Sequence, residues 1–270
     1  MLKLRVITAL VMLPVALVGF FWLEGLAFAL FFGAIIALGA WEWARLAGFV
    51  GQAARCGFAV AVAILLGILY TQPGWSMPLV LLGALWWVLA TALVMTYPAS
   101  SRFWGGRSGS LAIGLLILVP AWLALLALKQ RPNGNWLIVA VMALVWVADI
   151  GAYFFGRALG RRKLAPMVSP GKSWEGLLGG LVCSLIVTVI VGVNIGLSLP
   201  QLAASLAGAA IVVLLSVVGD LTESMFKRKA GVKDSSQLLP GHGGVLDRID
   251  SLTAAVPVFA ALLWLSGWGS

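Results

Sequence analysis

Residues 136–156, WLIVAVMALVWVADIGAYFFG, decide the fold, because these 21 residues carry one charge, Asp149, and show no period-two alternation. A bilayer core takes about 20 apolar residues per helix, and lipid obliges each segment to satisfy its own backbone hydrogen bonds. The run therefore reads as a membrane helix rather than a barrel strand. Outward from it, comparable runs fall at about 6–23, 26–44, 56–70, 77–97, 111–128, 176–198, 204–220 and 252–266. The composition agrees, with 62% hydrophobic and 10% charged residues and a mean hydropathy of +1.06. These values exclude a water-soluble globule with one core. The expected fold class is an all-α polytopic integral membrane protein with about nine transmembrane helices.

Basic residues orient such a bundle. With the amino terminus cytoplasmic, Lys3, Arg5, Arg45, Arg55, Arg102, Arg107, Arg157, Arg161, Arg162, Lys163, Lys172, Lys227, Arg228, Lys229, Lys233 and Arg248 all fall inside, sixteen of eighteen. Only Lys129 and Arg131 fall outside. The expectation is an amino terminus in and a carboxyl terminus out. Topology and anionic lipid heads account for the net charge of +9, so no nucleic-acid partner is implied. The basic start and Ala27-Phe28-Ala29 mimic a signal peptide, but the long apolar run followed at once by a second span reads as a retained first helix. Cys56 and Cys183 lack CxxC spacing and read as small apolar fillers.

The chain divides by chemistry. Residues 1–135 hold two acidic groups, Glu24 and Glu42, and read as transmembrane scaffold. Residues 136–270 hold the other seven carboxylates and two long polar loops, about 157–175 and 221–251, and read as the chemically active half of one integrated membrane domain.

Three constellations carry chemistry. Asp149 lies inside a span, where a carboxylate is costly and serves a site or a pair, with Tyr153 and Arg157 on its face. The segment SPGKSWEG, 169–176, ends like a P-loop, but Pro166 stands where that motif needs Gly and no strand is read before it. What remains is a Pro-Gly turn offering Lys172 and Ser173 beside a helix amino terminus, a place to hold phosphate. Ser173 as a plain helix cap is the alternative. In the third, Ser216, Asp220, Glu223 and Lys227 recur on one helix face, and Asp247 and Asp250 open the next helix one turn apart. Between them Pro240-Gly241-His242-Gly243-Gly244 makes a tight turn. Carboxylates beside a Lys-Arg cluster suggest a divalent cation and phosphate oxygens together.

Residues 224–250, SMFKRKAGVKDSSQLLPGHGGVLDRID, resemble the signature of the phosphatidate cytidylyltransferases, the CDP-diacylglycerol synthases. Ser224, Lys227-Arg228, Lys233-Asp234, Ser236, Pro240, His242-Gly243-Gly244, Asp247-Arg248 and Asp250 stand in register. DIGAYFFGR and SPGKSWEG look like the same family, which usually shows a second Lys and a Thr where this chain has Gly171 and Ser173. The resemblance covers about 145–255.

It implies an enzyme joining CTP to phosphatidate, giving CDP-diacylglycerol and pyrophosphate with magnesium, at the cytoplasmic face of a bacterial inner membrane. Under it, Asp220, Asp247, Lys227, Arg228, Lys233 and His242 are the catalytic set. His242 is read as a phosphate contact or turn-ordering group ahead of a general base. Lys172, Ser173, Asp149, Arg157, Glu223, Ser224, Asp234, Arg248 and Asp250 bind substrate. Asp220 and Asp247 are the first expected magnesium ligands, then Asp250, with Asp149 beside it for a second cation or the nucleotide. Membrane phospholipids surround the chain, and Gly- and Ala-rich spans permit a homodimer. A cytidylyltransferase for another lipid phosphate and an ion or solute transporter are the rival readings.

Overall fold

In the computed structural model, which describes residues 2–267, the apolar runs are helices. They are α1 (Leu2–Phe21), α2 (Gly25–Leu46), α3 (Gln52–Tyr70), α4 (Ser76–Met95), the short α5 (Ser101–Trp104), α6 (Arg107–Lys129), α7 (Gly134–Leu159), α8 (Trp174–Asn194), α9 (Leu199–Lys229) and α10 (Leu246–Leu265). Every expected span has its helix. Among the described residues eight are long and apolar enough to cross a membrane, α2 to α4 and α6 to α10. The span expected over 6–23 is α1, whose apolar part there is Leu10–Phe21. The side chains of Lys3 and Arg5 lie outside the described residues.

α6 and α10 run through the middle of the bundle, packed on α4 and on each other, while α3 lies at its edge. Val60, Ile64 and Ile68 on α3 and Val182, Ile186 and Val193 on α8 stay exposed at helical spacing, as lipid-facing stripes require. Close approach replaces the hydrophobic effect between spans. The α7–α8 seam is built on Gly151 facing Gly180 and Gly156 facing Gly176, with Gly179 against the Phe155 side chain; a Cβ on Gly180 would lie 2.4 Å from the Ala148 carbonyl. α9 meets α10 at Gly219, where a Cβ would lie 2.7 Å from the Asp250 carbonyl.

Two polar segments differ from expectation. The loop expected over 221–251 is shorter, because α9 continues to Lys229 and ends in a Schellman motif: Gly231 has φ +69 and the Val232 N–H donates to the Lys227 carbonyl at 3.0 Å. With 31 residues α9 spans about 46 Å, well over a hydrocarbon core of about 30 Å. Its surplus length falls where the sequence turns basic, at Lys227, Arg228 and Lys229 in the last turn. The loop expected over 157–175 contains an antiparallel hairpin, β1 (Lys163–Ala165) with β2 (Ser169–Ser173). Pro170 is tolerated there because a two-stranded ribbon consists of edges. Gly171-Lys172-Ser173 is thus strand, not a loop wrapped around phosphate.

Candidate active site

The third constellation folds as spaced. Because Gly219 brings α9 against α10, Asp220, Glu223 and Lys227 face Asp247 and Asp250. Lys227 Nζ lies 2.7 Å from Asp247 Oδ1 and 3.0 Å from Glu223 Oε1, with all three side chains below 10% exposed. Lys227 is therefore a fixed charge already held by two carboxylates. Glu223 Oε2 is buried without a hydrogen-bond partner. Asp250 Oδ1 accepts the Ser251 N–H at 2.7 Å.

β2 carries Lys172 to the same place. Its Nζ lies 2.6 Å from Asp220 Oδ2, each side chain about a quarter exposed, and Ser224 Oγ donates to Asp220 Oδ1 at 3.2 Å. Asp149 on α7 stands within electrostatic reach of Lys172 and Asp220 and has no ion pair or hydrogen bond among the described side chains. Hence the internal ion pair is not its state. Five carboxylates, Asp149, Asp220, Glu223, Asp247 and Asp250, surround two ammonium groups, an arrangement that favours a further cation.

Ser173 takes the plainer of its two readings: its Oγ accepts the Gly176 N–H at 3.1 Å and caps α8. Glu175 accepts the Arg161 and Arg162 N–H groups at 3.0 and 3.2 Å. The start of α8 is thus served by the protein itself. Arg157 donates to the Tyr153 hydroxyl at 3.1 Å, away from Asp149.

The segment of residues 230–245 is held by two carboxylates. Asp247 Oδ2 accepts the Ser235 N–H at 2.9 Å, Ser235 Oγ at 2.8 Å and the Gly244 N–H at 2.7 Å. Glu42, fully buried, accepts Ser236 Oγ at 2.5 Å, Ser235 Oγ at 3.2 Å, and the Val245 and Leu246 N–H groups at 3.0 and 2.7 Å. Val245, the N-cap of α10, supplies no side-chain cap, so a carboxylate from α2 caps this helix and faces its positive end. The Gly pair follows from this. A Cβ on Gly244 would lie 2.0 Å from Ser235 Oγ and 2.4 Å from Glu42 Oε1, and Gly243 has φ +87. Pro240 and Gly241 (φ +77) form a tight turn closed by the His242 N–H on the Leu239 carbonyl at 2.9 Å. His242 Nδ1 is buried without a partner.

Arg228 is spent on structure, its Nε donating to the Val168 carbonyl at 3.1 Å and so tying the hairpin to α9. Lys233, Asp234 and Arg248 are exposed. Sequence reading missed Glu42, Ser235 and Arg45, whose Nη1 donates to the Ser235 carbonyl at 3.1 Å. The signal available was Glu42 itself, a lone carboxylate buried near the end of an apolar helix.

Among the described residues no three His, Cys, Asp or Glu side chains converge as a ready metal cage. Asp247 fits poorly as a ligand here, since it already meets four donors, Lys227 on Oδ1 and the Ser235 N–H, Ser235 Oγ and Gly244 N–H on Oδ2, whereas Asp220 meets one ammonium and one hydroxyl. Asp220 and Asp250 keep acceptor capacity and fit an ion that takes one or two carboxylates and leaves its other positions to phosphate and water.

The model of the cytidylyltransferase family matches residues 3–266. The chain is 66% identical over 270 residues to a phosphatidate cytidylyltransferase of Pseudomonas aeruginosa, covering all of both chains. It is 42% identical to a protein of the same name from Haemophilus influenzae, covering 96% of this chain and 98% of that one. A third, from Brucella suis, is 40% identical, covering 98% and 93%.

Proposed function

Since the chain belongs to the cytidylyltransferase family, we propose that it joins CTP to phosphatidate, forming CDP-diacylglycerol and pyrophosphate. The observation that carries this reading is the gathering of the 224–250 segment, Lys172 and Asp149 into one polar site at the end of a bundle whose flanks are apolar. A lipid phosphate lies at that depth, and a nucleotide reaches it from water.

In the reaction a phosphate oxygen of phosphatidate attacks the α-phosphorus of CTP in line. The bond from that phosphorus to the bridging oxygen breaks, and pyrophosphate leaves with the electron pair. A phosphomonoester has a second pKa of about 6, so its dianion is competent near neutral pH without a general base. Positioning and charge neutralisation carry the catalysis. Lys233, Arg248 and Arg157 are exposed cations suited to collecting two polyanions. Lys172 is exchangeable between Asp220 and a substrate phosphate. Lys227, fixed by Glu223 and Asp247, holds a constant positive charge beside the site. His242, on the turn made by Gly241 and Gly243, offers a ring N–H to phosphate. Asp220 and Asp250 would hold magnesium, which would supply neutralisation of phosphate charge.

We place the site on the cytoplasmic face of a bacterial inner membrane, with the amino terminus inside. Support comes from the basic residues and from contacts gathering the ends of alternate helices: Thr8 of α1 with Pro240, Arg45 of α2 with Ser235, Lys229 of α9 with Gly105. Lys129 sits with Phe20 and Asn135 instead.

The test is pyrophosphate release from CTP and phosphatidate by protein purified in detergent, with and without magnesium, beside Asp220→Asn. Release requiring both substrates, magnesium and Asp220 supports the proposal. Release only with another lipid phosphate would change the acceptor, and none with any would end the enzyme reading.

A further inference from the structure

A cavity of about 480 Å³ lies at the same end of the bundle, lined by Arg45, Arg55, Arg107 and Lys229 together with Phe49 and Val232 among others, and by no carboxylate. None of these four cations has an acidic partner within ion-pair distance among the described residues. Two have local employment. Arg45 and Lys229 lie in the last turns of α2 and α9, where a cation offsets the negative helix end. Lys229 also donates to the Gly105 carbonyl and lies near Ser110 Oγ.

Arg55 and Arg107 have no such offset. Arg107 is exposed, lies over the Phe49 ring at 5.5 Å from its centroid, and its side chain has no ion pair or hydrogen bond among the described residues. Arg55 is 8% exposed. Its Nε donates to the Trp41 carbonyl at 3.3 Å and its guanidinium stacks 3.6 Å over the Trp41 ring, yet Nη2 is buried with no partner. The inside rule for basic residues asks only for charge near the interface and does not ask for a buried guanidinium with an unused donor. Arginine held flat on an aromatic ring presents a fixed fork that matches phosphate oxygens.

We propose that this cavity binds a phosphate group, at a site separate from Lys172–Asp220. Basic pockets between membrane helices take lipid head groups, and Val50 beside the cavity is 92% exposed, as a residue in contact with acyl chains would be. The same donors suit a free phosphate. The site adjoins the catalytic loop through Arg45, which holds the Ser235 carbonyl, so an occupant drawing on Arg45 acts on the residue that grips Asp247.

Native mass spectrometry of the detergent-purified protein tests this by direct binding, with no turnover required, so its failure is distinct from failure of the enzyme reading. Dioleoylphosphatidylglycerol and inorganic phosphate are titrated separately against the unaltered chain, Arg55→Gln, Arg107→Gln, and Lys163→Gln as a cation at the same end but outside the cavity. The expected result is one bound anion whose affinity falls at least fivefold in Arg107→Gln and further in Arg55→Gln, with Lys163→Gln unchanged. Loss confined to the lipid assigns a head-group site, loss confined to inorganic phosphate assigns a soluble anion, and loss of both assigns the phosphate group itself. Arg107 is on the exposed rim, so its variant decides the matter even if Arg55→Gln does not fold. Unchanged affinity for both probes in Arg107→Gln, or an equal loss in Lys163→Gln, overturns the proposal.

Discussion

Replacing Glu42 with alanine should open the catalytic loop while leaving the bundle assembled. The substitution removes the acceptor for the Val245 and Leu246 N–H groups and for Ser235 and Ser236. The hydroxyls can turn elsewhere, Ser235 toward Asp247 at 2.8 Å, but the two backbone donors cannot. At about 1–3 kcal/mol for each buried donor left unsatisfied, the cost is about 2–6 kcal/mol. It falls on residues 230–246 rather than on the helix seams. An opening made easier by about 3 kcal/mol is roughly 150-fold more populated. Trypsin cleavage after Lys233, followed under conditions where opening precedes cutting, reads that factor directly, and pyrophosphate release should fall in parallel. Glu24→Gln, at the other end of α2, is the control and should cleave and turn over as the unaltered chain does. Unchanged cleavage and unchanged turnover in Glu42→Ala would refute the claim that this carboxylate fastens the loop.

Gly244→Ala should be at least as severe, because its methyl would fall on Ser235 Oγ and Glu42 Oε1; retained activity with an unshifted melting point would contradict the packing. Asp247→Asn should nearly abolish pyrophosphate release and also loosen the loop to trypsin, whereas Asp220→Asn should cut release sharply, to a rate still measurable, without loosening it. Lys172→Met and Asp220→Asn should be non-additive in a double-mutant cycle on turnover, with a coupling of about 1 kcal/mol or more since they share one ion pair; simple additivity would mean that they act apart. Lys227→Ala should cost far more activity than Lys129→Ala, because only Lys227 stands among the site carboxylates.

The spans were legible because a bilayer demands about 20 apolar residues and the chain supplies them in unbroken runs. Asp220, Glu223 and Lys227 were legible for a similar reason, since helical spacing alone puts them on one face. Other features depend on partners the local sequence does not show. That Lys227 is shared with Asp247 needs the α9–α10 contact at Gly219, and that Lys172 meets Asp220 needs a strand where Ser169-Pro170-Gly171 reads as a turn. Glu42 was the least visible, because a single carboxylate in a long apolar helix says nothing of a loop about two hundred residues later. The signature of residues 224–250 named the chemistry before the fold explained its glycines. The Glu42 side chain, outside that signature, joins Ser235 in leaving Gly244 no room for a methyl.

Glu42 and the loop it fastens are separated by 193 residues at Ser235, and this gives the site a history. A chain emerging from a ribosome places α2 in the membrane early, with a bare carboxylate and no donors to meet it. The last of those donors, the Leu246 N–H, arrives only once residue 246 has been made, after the sequence of every helix but α10. The site therefore cannot form piecemeal during synthesis: its first-made part waits for its last.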